Sequence, residues 1–256
     1  RLSRWQIGLL AGLSLVLLFG VLLAALAPQS RPWFVREANE RLRGYTMALE
    51  GVGFQPWSLT LEFRGIVIRQ QAHPEPAVLA VPRLIIDVEW PALLRGRVVA
   101  RALLEAPAVV LRIEQLREEA RDPVPLARRG WHRLPELYPL EINTLEVRDG
   151  TVVYLASGAR EPIRLTGVQG WAGNIRHVEG GGATHPSPVR LRAVVFGDGR
   201  ASFDGAADFL RHARPALRGR GAIDSVPLAT LGPVLRGVPL RIEGGTLAAR
   251  GDVDYG

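Results

Sequence analysis

The sequence predicts a mainly β protein with one N-terminal transmembrane helix and a few further short helices. Two observations lead to this fold class. An uncharged apolar run extends from Ile7 to Ala27, and beyond residue 46 apolar and polar residues alternate with a period of two. A period of two is typical of strands that have one covered and one solvated face. With 256 residues, 47% of them hydrophobic, the chain can also bury a sizeable core.

The apolar run is long enough to cross a membrane. Residues 7–27 would form a helix of about 30 Å, the thickness of the hydrocarbon layer. The alternative is a cleaved signal peptide, because Ala25-Leu26-Ala27 resembles a cleavage site. The run is longer than the usual signal-peptide core, and Pro28 follows directly, so we favour an uncleaved anchor. Arg residues flank both ends and leave the orientation open at this point.

A short amphipathic neck, residues 28–45, follows the anchor. Ser30 is placed to cap a helix that contains Pro32 in its first turn and ends near Gly44. The neck also carries basic residues close to the membrane, where anionic lipid headgroups would attract them. The predicted membrane-surface contacts are Arg31, Arg36, Arg41 and Arg43.

Residues 46–256 form the predicted β region. Its strands carry charged residues on one face and large apolar residues on the other. The predicted apolar set is Leu59, Leu61, Phe63, Leu84, Ile86, Val88, Val109, Leu111, Ile113, Leu145, Val147, Leu191 and Phe203. The same alternation suits an open apolar surface or a sheet packed on a second sheet, and the pattern alone does not separate the two.

Glycine-rich turn signals divide the strands. They are Gly51 to Gly53, Asp149-Gly150, Gly197-Asp198-Gly199 and Gly244-Gly245. Two longer loops are predicted at 115–140 and 176–188, and a short helix is predicted to start at Asp224 and Pro227.

Composition argues against catalysis. All 32 basic residues are Arg, so phosphate-loop and Schiff-base chemistry lack their Lys, and the absence of Cys excludes thiol catalysis and thiolate metal sites. The five His are scattered without metal-ligand or triad spacing. We therefore expect no enzyme, no metal and no cofactor.

The net charge of +7 raises the question of nucleic acid. The Arg residues, however, alternate along strands together with Asp and Glu and do not cluster with aromatic residues. We expect a solvated outer face and no nucleic-acid partner.

Three stretches carry a family resemblance: FQPWSLTLEFRGIVI (54–68), LIIDVEWPALLRGRVVARALLEAPAVVLRIE (84–114) and GRGAIDSVPLATLGPVLRGVPLRIEGGTLAARGDVDY (219–255). Together with the anchor and the neck, they resemble the AsmA-like family of Gram-negative envelope proteins. The resemblance implies a single-pass inner-membrane anchor with residues 1–6 in the cytoplasm. It also implies a periplasmic antiparallel sheet curled into an open groove, similar to bridge-like lipid transfer proteins.

The implied function is phospholipid transport towards the outer membrane. The apolar set would then line the groove, and the chain would be the membrane-proximal segment of a longer protein. Other envelope proteins are possible partners. The rival hypothesis is a non-catalytic scaffold or assembly factor for outer-membrane proteins, which would use sheet edges to hold its partners. A nucleic-acid binder survives only if the topology is reversed.

Overall fold

The computed structural model describes residues 21, 25–42, 44–95, 98–115, 140–155, 162–175, 187–208, 216–228 and 244–255. This part of the chain is mainly β, as predicted. All twelve of its strands belong to one sheet.

The neck forms as a 3₁₀ turn, Ala27–Ser30, followed by helix α1, Arg31–Arg41. Ser30 occupies the N-cap position, but the capping bond that we expected is missing: its hydroxyl donates to the Ala27 carbonyl at 2.6 Å instead. A third helical segment, α2, spans Trp90–Leu93 between two strands.

No helix in the described ranges has the length and apolar character that a membrane crossing requires. The predicted anchor, residues 7–27, lies mostly outside these ranges, as do Arg43 and most of the two predicted long loops.

The strands follow the alternating segments of the sequence. They are β1 Tyr45–Ala48, β2 Gly51–Gln55, β3 Thr60–Gln70, β4 Leu79–Val88, β5 Val98–Glu105, β6 Ala108–Arg112, β7 Leu140–Leu155, β8 Ile163–Ile175, β9 Ser187–Val195, β10 Gly199–Asp208, β11 Ala216–Pro227 and β12 Thr246–Tyr255.

The topology is mostly an antiparallel meander. The order is β1-β3-β4-β5-β7-β8-β9-β10-β11-β12; β2 continues β1 along β3, and β6 continues β5 between β4 and β7. The prediction of an antiparallel sheet is wrong at one place, because β7 runs parallel to β5 and β6. A parallel neighbour needs a long crossover, and the residues between β6 and β7 provide the length.

Three turn or helix predictions are also wrong. Gly51 and Gly53 lie inside β2, and Asp149-Gly150 lies inside the continuous strand β7. Asp224 and Pro227 belong to the end of β11, so the predicted start of the short helix is wrong. A helical turn begins one residue later, at Leu228, and the rest of the predicted helix lies outside the described residues. The turn at Gly197-Asp198 between β9 and β10 is confirmed.

The neck packs against one edge of the sheet. Ala27, Leu49 and Val52 form a buried cluster, and the half-buried Phe34 and Phe63 pack against it. The rings of Phe34 and Phe63 meet edge to face with centroids 5.1 Å apart. Asn39 fixes the other end of α1, since its side chain accepts from the Met47 amide at 2.6 Å.

Candidate functional site

The candidate site is one face of the sheet, which we call the apolar face. Residues paired across neighbouring strands point to the same side of a sheet, so the strand register defines its rows. The first row runs from β3 to β9 through Leu61, Ile86, Ala102, Leu145, Ala172 and Val189. The second runs from β3 to β10 through Phe63, Leu84, Leu104, Val147, Gly170, Leu191 and Phe203. Val88 lies two residues beyond Ile86 and therefore faces the same way.

A line of unusual backbone conformations crosses these strands. We call it the bend row: Gly65, Ala106, Asp149 and Gly167, all with φ between 48° and 61°. The strand register aligns the first three, because the residues directly before them, Arg64, Glu105 and Arg148, are paired side by side through Arg83 of β4. Gly167 continues the line on β8, since the next residue, Val168, pairs with Gly150. Left-handed residues inside strands are typical of β-bulges.

The bend row shifts the side-chain alternation by one residue. In a regular strand, residues three apart point to opposite faces. Phe63 and Ile66, which flank Gly65, nevertheless pack against the same buried cluster. Similarly, a Cβ on Gly150 would lie 3.2 Å from Val147 and 3.4 Å from Pro107. The apolar face therefore continues across the line.

The shift explains where the remaining predicted residues lie. Ile66 pairs with Val81, and Leu79, two residues before Val81, pairs with Val109. Val109 is thus on the apolar face, as is Leu111 two residues further along β6. Leu59 and Ile113 are half-buried but lie just outside the strands.

Most of the large side chains on this face are only half-buried. Leu61, Phe63, Ile86 and Val147 all fall in this class, and Leu191 is 40% exposed. The fully buried apolar residues are mainly Ala and Val. Because all described strands form one sheet, the described residues contain no second sheet that covers this face.

The opposite face, which we call the charged face, is laced with ion pairs. Arg83 bonds Glu62 at 2.9 Å and Glu105 at 3.2 Å, and these bonds, that to Glu62 first, raise the pKa of its guanidinium. A cross-strand row continues this pattern through Glu146, Trp171, Arg190, Asp204, Arg220 and Asp252. The Arg190 guanidinium lies 5.7 Å from the centroid of the Trp171 ring. Exposed pairs of this kind favour a solvated surface.

The predicted membrane-contact arginines are placed only in part. Arg31 begins α1 and donates through Nε to the Leu49 carbonyl, so it fixes the neck on the sheet. Arg36 is exposed, and Arg41 ends the helix. Their contact with lipid headgroups stays a prediction.

Sequence reasoning missed Leu104, Ile66 and Val81 on the apolar face. Leu104 lies in a run with apolar residues at nearly every position, where alternation gives no signal. Ile66 and Val81 lie beyond the shift. Gly65 inside an otherwise regular strand pattern was the available clue, since glycine there often marks a bulge.

Comparison with models of known protein families finds no match, and comparison with curated proteins finds none either. The resemblance to the AsmA-like family therefore stays a prediction.

Proposed function

We propose that this chain is an inner-membrane-anchored periplasmic protein whose sheet curls into an open groove. The groove is the start of a hydrophobic path that carries phospholipid towards the outer membrane. One observation carries the proposal: rows of apolar residues, the larger of them mostly half-buried, continue in register across up to seven strands of a single sheet layer.

The energetics of lipid transfer require such a surface. Exposure of an acyl chain to water costs about 0.8 kcal/mol per CH₂, so a chain of about sixteen carbons loses roughly 12 kcal/mol. A continuous apolar face replaces that water along the whole path. The charged face opposite it remains hydrated.

The proposal distinguishes an open face from a closed core by the effect of one buried charge. Ile86 belongs to the first apolar row, next to Leu61, and is half-buried. In a closed core, Ile86→Asp would bury an unpaired carboxylate at a cost of several kcal/mol and would unfold a marginally stable domain. In an open groove, the carboxylate reaches water whenever lipid is absent.

We therefore expect Ile86→Asp to fold, to resist protease and to reach normal levels in cells, while the outer-membrane barrier fails against detergents and large antibiotics. Ser202→Asp is the matched control, because Ser202 is exposed on the charged face opposite Arg192. It should leave the barrier intact. A degraded Ile86→Asp protein would favour a closed core, and a folded variant with an intact barrier would contradict the conduit.

The scaffold function remains the second candidate because of β12. This strand lies at one edge of the described sheet, and all its residues are exposed, including Leu247, Val253 and Tyr255. An exposed edge strand can accept a further strand from a protein partner. Asp252→Pro, on the charged face opposite Arg220, would disturb such pairing and leave the apolar face untouched. Loss of outer-membrane proteins in that variant, with a normal lipid barrier, would favour the scaffold.

A further inference from the structure

Large apolar side chains are exposed together in two loops at one end of the sheet. Trp57 lies in the turn between β2 and β3 and is 64% exposed. Trp90, Leu93 and Leu94 lie in and after α2, between β4 and β5, and are 43%, 38% and 82% exposed. We call these four residues the tryptophan patch.

The two loops form one surface. The Trp90 indole nitrogen donates to the main-chain carbonyl of Trp57 at 3.0 Å. The strands hold the loops side by side, because Thr60 at the start of β3 pairs with Asp87 near the end of β4. The patch is therefore a structured feature of this end of the sheet.

The opposite end of the same strands has a different character. Its described loops expose Gln71, His73, Glu75 and Asp198, which are polar or charged. Among the described loops that connect the strands, large exposed apolar side chains therefore occur at the patch end. Trp at a surface that also presents an exposed Arg, here Arg95, suits the interface between lipid headgroups and acyl chains.

The N-terminal side of the described neck lies nearer the patch than its C-terminal side. The C-terminal half of α1 lies at β1, through the bond between Asn39 and Met47. Ala27, at the N-terminal side, instead packs with Val52 of β2, the strand that leads directly to Trp57. From Ala27 to Asn39, the neck therefore runs away from the patch.

We propose that the tryptophan patch inserts into the surface of the lipid bilayer and seats this end of the sheet on the membrane beside the anchor. The apolar face ends at the patch, since Val88, its last residue on β4, lies two residues before Trp90. Lipid could then enter the face from the bilayer without crossing water. The inference rests on the membrane anchorage in the proposed function, but it does not require lipid passage.

The test uses the full chain in vesicles of phosphatidylcholine and phosphatidylglycerol. Because the sequence contains no Cys, Leu94→Cys introduces a single thiol for an environment-sensitive fluorophore. Asp198→Cys is the matched control, an exposed turn residue at the opposite end. We expect the probe at residue 94 to shift its emission to the blue and to lose most of its fluorescence to a lipid with a shallow nitroxide. The probe at 198 should do neither.

A second variant tests the role of the patch itself. Trp57→Ser keeps the main-chain carbonyl that accepts from Trp90, so the loops should stay in place, and the quenching at residue 94 should fall. Vesicle flotation separates the two proposals. If the protein floats while its residue 94 probe reports water, the insertion of the patch is wrong and the membrane anchorage stands. Equal quenching at residues 94 and 198 would also contradict the insertion of the patch. A protein that does not float at all overturns both.

Discussion

At the scale of single residues, glycines leave room for an aromatic side chain on the apolar face. Gly205 and Gly219 pair with each other across β10 and β11. A Cβ at either position would lie 2.8 Å from the Phe203 ring. Phe203, one of the predicted lining residues, therefore lies over two residues that have no side chain. The sequence predicted Phe203 from its alternation, but it did not indicate which glycines the ring covers.

This arrangement predicts a position-specific effect of one methyl group. Gly219→Ala would place Cβ 2.5 Å from the Asp204 carbonyl oxygen and against the Phe203 ring. We expect a loss of about 1–3 kcal/mol in the free energy of unfolding, measured by urea denaturation, as for other overpacked sites.

Gly221→Ala is the control for this prediction. It lies two residues further along β11, and its added methyl would lie no closer than 3.6 Å to Val253. It should be neutral or stabilising by about 0.4–1 kcal/mol, because alanine restricts the unfolded chain. Equal destabilisation by both variants would contradict this packing.

At the scale of elements, the bend row decides which residues share a face. Period two correctly predicted the faces within each half of a strand. Asp149-Gly150 was misread as a turn because the same dipeptide is a common hairpin signal. It lies inside β7 because β7 pairs with β5 before it, with β6 after it and with β8 along the other side, and this long-range pairing overrides the local preference. The sequence also did not predict that β7 runs parallel to β5 and β6. No local signal specifies the direction of a strand that follows a long crossover.

The left-handed backbone of the bend row also predicts that a glycine at position 106 does not lower stability. Ala106 is exposed with φ of 48°, a conformation that costs an L-residue roughly 1–2 kcal/mol. Ala106→Gly relieves this strain, which offsets the entropy that glycine adds to the unfolded chain. We expect the variant to be no less stable than the wild type in thermal unfolding.

Ala193→Gly in β9 provides the comparison. Ala193 lies within a strand and outside the residues with positive φ, so glycine there should cost about 0.5–1 kcal/mol. An equal loss in the free energy of unfolding for both glycine variants would contradict a strained left-handed conformation at residue 106.

At the scale of the whole molecule, a single sheet layer presents apolar side chains on one face and paired charges on the other. The sequence predicted both faces. It did not predict whether the apolar face is open or covered, because alternation is the same in an open groove and in a two-sheet sandwich. The described strands form one sheet, and the large side chains of its apolar face keep a substantial exposed fraction. These two facts favour the groove.

The most direct measurement is photo-crosslinking to phospholipid in living cells. Leu191 and Arg192 are neighbours on β9, both exposed, and they point to opposite faces, as do Ile86 and Arg83 on β4. With a photoreactive residue at each position in turn, the account predicts phospholipid adducts at Leu191 and Ile86 and none at Arg192 or Arg83. Leu61 and Leu111 should behave like Ile86, and Arg112 like Arg83. Equal capture on both faces, or capture on neither, would contradict the claim that the apolar face carries lipid.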